Sequence, residues 1–237
     1  MREKFSRISS DPQNKNDMRN AAIYLERISK YENSDLDEWV IESVRNKSVL
    51  DVGFIEHDVT YMFKEKWKHA HIAKSAKSCK GIDYADQSLI DLARNHGYDV
   101  EKCDATSNID LGHRFDVVNI GDVIEHVNNP VSLLEFAERH LNSGGGGTVF
   151  VTTPSPYFYV FLRSIFSGKT YIPNLDHVRW VTPANMLELS SRSGLNLIGI
   201  RYFLPERLGF FRRYLRRKFP ELFSMTYLYI LSRNEDG

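Results

Sequence analysis

The apolar residues of this chain switch repeatedly between two spacings. Val49, Leu50 and Val52 follow polar Lys47 and Ser48 in a short run that ends at Gly53, the pattern of a strand covered on both faces. Comparable runs lie at 80–83, 99–103, 115–120, 148–153, 195–203 and 225–232. Helical spacing fills the gaps between them. Met18, Ala21, Ala22, Leu25 and Ile28 share one face. A second helix is expected from Ser34, with Asp37 as a capping-box variant, presenting Leu36, Trp39, Val40 and Val44. After the first strand, Val59, Met62, Phe63, Trp67, Ala70 and Ala73 trace one long helical stripe. Asp86 caps a helix that stops at Gly97, Asn129-Pro130 opens one carrying Leu133, Leu134, Ala137 and Leu141, and Thr182-Pro183 opens another ending at Gly194. Strand and helix alternate with no internal repeat. That order predicts an α/β, doubly wound parallel sheet with helices on both faces.

Two stretches depart from the alternation. Residues 1–46 read as an N-terminal helical segment ahead of a main domain at 47–237. Within that domain, 154–181 form an insertion holding Tyr157, Phe158, Tyr159, Phe161, Phe166, Tyr171 and Trp180. These rings could pack on an acceptor as a lid or simply cluster under a long loop. Arg212, Arg213, Arg216, Arg217 and Lys218 lie on the link between the last two strands. Such a basic link could touch a phosphorylated acceptor or a membrane surface, although runs of this kind are more often solvated.

Charge and cysteine usage narrow the picture. Lys plus Arg and Asp plus Glu each total 31, so no global field recruits nucleic acid. Cys79 and Cys103 lack metal-ligand spacing and read as free thiols in a reducing compartment. The N-terminus carries no leader pattern, and the longest apolar run, 157–162, is too short to cross a bilayer. A cytoplasmic protein is expected.

Candidate chemistry begins at the strand ends. Asp51, Asp83 and Asp104 each close a predicted parallel strand. In a doubly wound sheet those ends share one edge, above the ligand crevice. Carboxylates there can accept from ribose hydroxyls or an adenine amino group. Gly53 is followed by no second glycine in its turn, which suits a nucleoside without a pyrophosphate better than a dinucleotide.

Taken together, Val49-Leu50-Asp51-Val52-Gly53, Gly81-Ile82-Asp83, Cys103-Asp104-Ala105, Phe115-Asp116-Val117-Val118, the segment from Gly121 to Val127, and Asp176-His177-Val178-Arg179-Trp180 resemble the class I S-adenosylmethionine-dependent methyltransferases. The chain looks most like the branch found in surface-glycan gene clusters. The resemblance implies a Rossmann-like sheet of seven strands, the last antiparallel. It implies S-adenosylmethionine as cofactor, with Asp51 and Gly53 bordering the methionine part, Asp83 and Tyr84 at the ribose, Asp104 and Ala105 at the adenine, and Gly121 and Asp122 near the methionine amino group. Ile55 and His57 stand where the family's turn has further glycines; the pair His57-Asp58 marks a variant of that turn.

A hydroxyl acceptor must lose a proton as it is methylated, and His is the usual group for this. His126 and His177 are the candidates, with capping and loop-ordering roles as the plainer alternatives. Asp122, Glu125 and His126, at i, i+3 and i+4, would share one face of a helical turn and could hold a divalent ion, as the matching positions do in the related quinone O-methyltransferases. A metal is compatible with this pattern but not expected. The leading expectation is O-methylation of a saccharide or glycan-linked acceptor. The alternatives are a small-molecule quinone or phenol O-methyltransferase and a non-catalytic cofactor-binding scaffold.

Overall fold

β2 (Ser48–Val52) is the centre of the fold, and its alternating side chains explain why. Val49 points to one side of the sheet, where it packs with Val40, Val44 and Ile72. Leu50 and Val52 join the opposite cluster with Ile82, Ile120, Leu133 and Leu134. A strand apolar on both faces is stable only between two helical layers. Full burial of each such side chain is worth about 1.5–3 kcal/mol.

The computed structural model describes residues 5–56, 59–144, 146–172, 174–203, 214–215 and 218–234. The remaining helices and strands in chain order are α1 (Lys15–Ile28) and β1 (Ser29–Glu32), α2 (Leu36–Ser43), α3 (Lys68–Ser75), β3 (Ser78–Asp83), α4 (Gln87–Asn95), β4 (Val100–Lys102), β5 (Val117–Gly121), α5 (Pro130–Arg139), β6 (Thr148–Pro154), α6 (Tyr159–Phe166), α7 (Pro183–Arg192), β7 (Leu195–Phe203), the short α8 (Pro220–Phe223) and β8 (Thr226–Arg233). They build one 8-stranded sheet in the order β1-β7-β8-β6-β5-β2-β3-β4. β8 runs antiparallel to both β6 and β7. The other pairings are parallel.

The last strand is antiparallel as expected, but the sheet has eight strands rather than seven. The extra one is β1, whose Ser29 to Glu32 run parallel along Ile200 to Phe203 of β7. The sequence Ser-Lys-Tyr-Glu is too short and too polar to announce a strand. The 1–46 segment therefore contributes an edge of the sheet as well as two helices.

Other expectations need correction. The long stripe from residue 59 is not one helix: a 3₁₀ turn at Val59–Tyr61 precedes α3, which starts only at Lys68. Phe63 adopts φ 64° between them, a conformation no continuous helix contains. Trp67 leaves the helical register to bury itself completely and donate its indole N–H to the Phe54 carbonyl at 3.0 Å. α2 is capped by Asp35 rather than Ser34, its carboxylate accepting from Asp37 N at 2.8 Å. Asp86 sits at the N-cap of α4 but makes no side-chain capping bond. The caps at Asn129 and Thr182 are as read, the latter a full capping box with Asn185.

Candidate active site

Gly53 lies just past β2 with φ +78°. A Cβ there would come 2.3 Å from Val123 Cγ2 and could not be accommodated. The chain thus turns directly beneath the segment that follows β5. Asp83, at the end of β3, fastens this turn from the neighbouring strand. Its carboxylate accepts from Ile55 N and Ala85 N, both at 2.9 Å. Burial lifts the Asp83 carboxyl above its ordinary value, although backbone N–H groups oppose the shift.

Asp51 is placed differently from a ligand-facing acid. It is 4% exposed. One oxygen meets His69 Nδ1 at 2.7 Å and the other accepts from Asn119 Nδ2 at 2.8 Å. His69 is itself buried, edged by the rings of Phe54, Trp67 and Tyr98. It fits because Gly81 has no side chain: a Cβ there would lie 2.8 Å from His69 Cε1. Asp51 therefore ties β2 to α3 and β5 rather than opening onto the crevice.

The remaining cofactor candidates sit on the expected edge. Tyr84 is 74% exposed, with Lys102 Nζ 5.5 Å from its ring centroid. Asp104 is exposed and accepts from the Thr106 N–H and hydroxyl at 2.8 and 2.7 Å. Ala105 follows it, half-buried. Gly121 ends β5 and leaves its surroundings open. Asp122 adopts φ 52°. Its N–H donates to Thr152 Oγ1 at 3.0 Å, and that hydroxyl lies 3.1 Å from Asp122 Oδ1. His57 and Asp58 lie outside the described residues, as do Arg212, Arg213, Arg216 and Arg217.

The expected metal trio of Asp122, Glu125 and His126 does not form on a helical face. Residues 122–127 make a non-helical turn, because the left-handed φ of Asp122 ends any helical register there. The group that does come together is Glu125, His126 and His177, with one potential ligand atom from each within 4.8 Å of the others. The two imidazoles meet edge-on, ring centroids 4.7 Å apart. Asp176 Oδ2 lies 3.2 Å from His126 Nδ1. The insertion is laced to this turn by its backbone: Val178 N donates to Glu125 O at 3.0 Å, and Arg179 donates to Asn128 O at 2.9 Å.

Glu125 is 1% exposed, and its carboxylate makes no full hydrogen bond among the described residues, the nearby Thr153 hydroxyl favouring its charged form only in part. Burial first, and the Asp122 carboxylate second, push its carboxyl up to about 8. A buried acid in this state either holds a proton or awaits a cation.

Sequence reading missed Lys68, His69, Asn119, Thr152 and Asp176. Lys68 Nζ is 3.2 Å from Asp37 Oδ1 and 4.0 Å from Asp122 Oδ2. Burial opposes its charge, but Asp37, Asp122 and Glu56 together outweigh that and raise the ammonium pKa. Asn119 lies midway along β5 and Thr152 near the end of β6, a hint available in principle: polar residues in otherwise apolar strands.

The profile of a family described as a methyltransferase domain matches residues 19–200. The chain belongs to this methyltransferase family. Its fold is the one seen in solved S-adenosylmethionine-dependent methyltransferases. A ubiquinone biosynthesis O-methyltransferase of Coxiella burnetii (strain RSA 331 / Henzerling II) is 26% identical over 141 residues, covering 54% of this chain and 58% of the relative. The chain thus spans little more than half the length of that relative. A protein of the same name from Hydrogenovibrio crunogenus is 26% identical over 189 residues, 70% of this chain and 73% of its own. Among solved structures, a methyltransferase from Archaeoglobus fulgidus superposes with TM-score 0.57 at 15% identity, covering 90% of this chain and 94% of its own. One from Mesorhizobium loti gives 0.53 at 17% identity, covering 83% and 95%.

The residues present suit the cofactor. The methyltransferase places a left-handed glycine turn, a half-buried carboxylate at the end of β3 and an exposed one just past β4 along the carboxyl edge of a parallel sheet, the donor-accepting set a nucleoside needs. Among the described residues no helix is long and apolar enough to cross a membrane.

Proposed function

We propose that this methyltransferase methylates a hydroxyl of a small aromatic acceptor of the phenol or quinol class. The observation that carries the reading is the convergence of Glu125, His126 and His177 beside Asp122 on the cofactor edge of the sheet. The names of the curated relatives support an aromatic O-methylation over the saccharide acceptor expected from sequence.

When bound, S-adenosylmethionine supplies an electrophilic methyl group whose transfer discharges the sulfonium. The protein's part is to align the acceptor oxygen and remove its proton. Alignment of two bound reactants can be worth several kcal/mol. The Asp176 carboxylate at His126 Nδ1 favours the tautomer protonated there, which leaves Nε2 as the acceptor lone pair. His177, edge-on to that ring, would orient the hydroxyl. Should a divalent cation be needed, Glu125, His126 and His177 are the residues that would hold it, and it would supply acidification of the hydroxyl. Asp83, Tyr84, Asp104 and Ala105 would hold the nucleoside, Gly53 the close approach of the turn, and Gly121 and Asp122 the amino-acid end. Asp51 would act beneath them through His69 and Asn119.

A cleft of about 710 Å³ by β1 and β7 is lined by Tyr31, Tyr157, Tyr202, Pro183 and Glu221, among others, and its aromatic rings would suit the far end of an extended aromatic acceptor. The test is a methyl-transfer assay with catechols, alkylated hydroquinones and a saccharide panel, with magnesium and with chelator. Turnover on the phenols that is lost in His126→Ala is expected. Turnover on saccharides alone would overturn the reading.

A further inference from the structure

Lys68 opens α3 and points across the end of the sheet, its Nζ lying 3.2 Å from Asp37 and 4.0 Å from Asp122. It shares a narrow cleft with Asn119 and Gly121 of β5 and Thr152 of β6. Its side chain is 44% exposed, so a ligand can reach it. The amino-acid end of the cofactor presents an ammonium and a carboxylate on one carbon, and both must be matched when they leave water.

Two backbone donors of the glycine turn and the one at Asp122 are already engaged. Gly53 N donates to Ile82 O at 2.9 Å and Ile55 N to Asp83 at 2.9 Å. Asp122 N is taken by the Thr152 hydroxyl. With these donors taken, a side-chain cation is the natural partner for the carboxylate, and Lys68 stands 4.0 Å from the acid assigned to the ammonium.

We propose that Lys68 and Asp122 form a charge pair that reads the zwitterionic end of the cofactor, Lys68 taking the carboxylate and Asp122 the ammonium. Lys68 exchanges Asp37 for the ligand as it does so. The proposal rests on the cofactor placement above. It also explains why a lysine is held by an acid from the N-terminal segment: Asp37 keeps the ammonium at the crevice until a carboxylate arrives.

Calorimetric titrations with S-adenosylhomocysteine and with 5′-methylthioadenosine, which lacks the amino-acid end, separate the possibilities. Lys68→Met should weaken S-adenosylhomocysteine by about tenfold or more and leave methylthioadenosine within about twofold, while Lys68→Arg should retain most of the affinity. Asp37→Asn, which breaks the docking pair but keeps the ammonium, should bind S-adenosylhomocysteine nearly as wild type does. Equal loss of both ligands in Lys68→Met, or a loss in Asp37→Asn matching it, would show that Lys68 only docks α2 and would overturn the proposal. Unchanged S-adenosylhomocysteine binding in Lys68→Met would overturn it directly. A wild type that binds neither ligand would overturn the cofactor placement, and this proposal with it.

Discussion

Asp51 and His69 meet inside the protein, carboxylate to imidazole at 2.7 Å, with both side chains almost completely withdrawn from solvent. The acid that ends the first strand of the main domain is therefore an internal tie. It joins β2 to α3 on one oxygen and, through Asn119, to β5 on the other.

Asp51→Ala should leave His69 and Asn119 without their acceptor. The expected cost is about 2–4 kcal/mol, read as a shift of the urea midpoint at constant m-value. Asp51→Asn should cost less. If Asp51 instead served the ligand alone, Asp51→Ala would fold with wild-type stability and lose only cofactor affinity.

Gly53→Ala would force a Cβ onto Val123 Cγ2 and hold an alanine at φ +78°. Strain of this kind costs about 1–3 kcal/mol, and S-adenosylhomocysteine affinity should fall with it. Val123→Ala removes the steric part only, so the double variant should recover part of the lost stability. No recovery would mean that backbone conformation alone sets the cost.

Asp83→Ala should abolish tight nucleoside binding and release Ile55 N and Ala85 N. Both S-adenosylhomocysteine and methylthioadenosine should weaken by about tenfold or more, unlike the selective loss expected at Lys68. Calorimetry on the same preparations distinguishes the two patterns.

Glu125 gives a signature in pH. Its folded carboxyl is pushed up to about 8, against 4.5 for the ordinary group. The folded protein then holds a proton that the unfolded chain releases, so stability should fall as pH rises from about 4.5 toward 8. The upper bound is on the order of 4–5 kcal/mol. Glu125→Gln should flatten that slope in thermal melts between pH 5 and pH 9. Magnesium or manganese should raise the wild-type melting temperature at pH 8 if the cluster takes a cation, and should leave Glu125→Gln unmoved. A wild-type slope no steeper than that of Glu125→Gln would refute the buried protonated state.

Much of this was legible in the sequence for a physical reason. Strands such as β2 and β5 are apolar on both faces, and only one kind of sheet needs that. The acids that close them then fall on one edge by topology. What could not be read depended on tertiary packing. β1 is four residues with no strong pattern. His69 looks like part of a polar helix start, and its burial follows from the absence of a side chain at Gly81. His126 and His177 lie far apart in the chain, and Val178 N bonding to Glu125 O brings them together. Nothing local marks Glu125 as buried.

β8 lies between β6 and β7 although it follows both in the chain. During synthesis, β6 and β7 must each wait with an exposed edge until β8 emerges to join them. β1 and β7 can pair earlier, but only as an isolated two-stranded unit, and such units are marginal in water. The nascent chain thus carries two separate half-sheets, one of them already bearing every cofactor-edge acid. Newly made protein should bind nucleoside late and depend on chaperones over this interval, with Tyr227 and Tyr229 of β8, both completely buried in the finished sheet, closing the seam last.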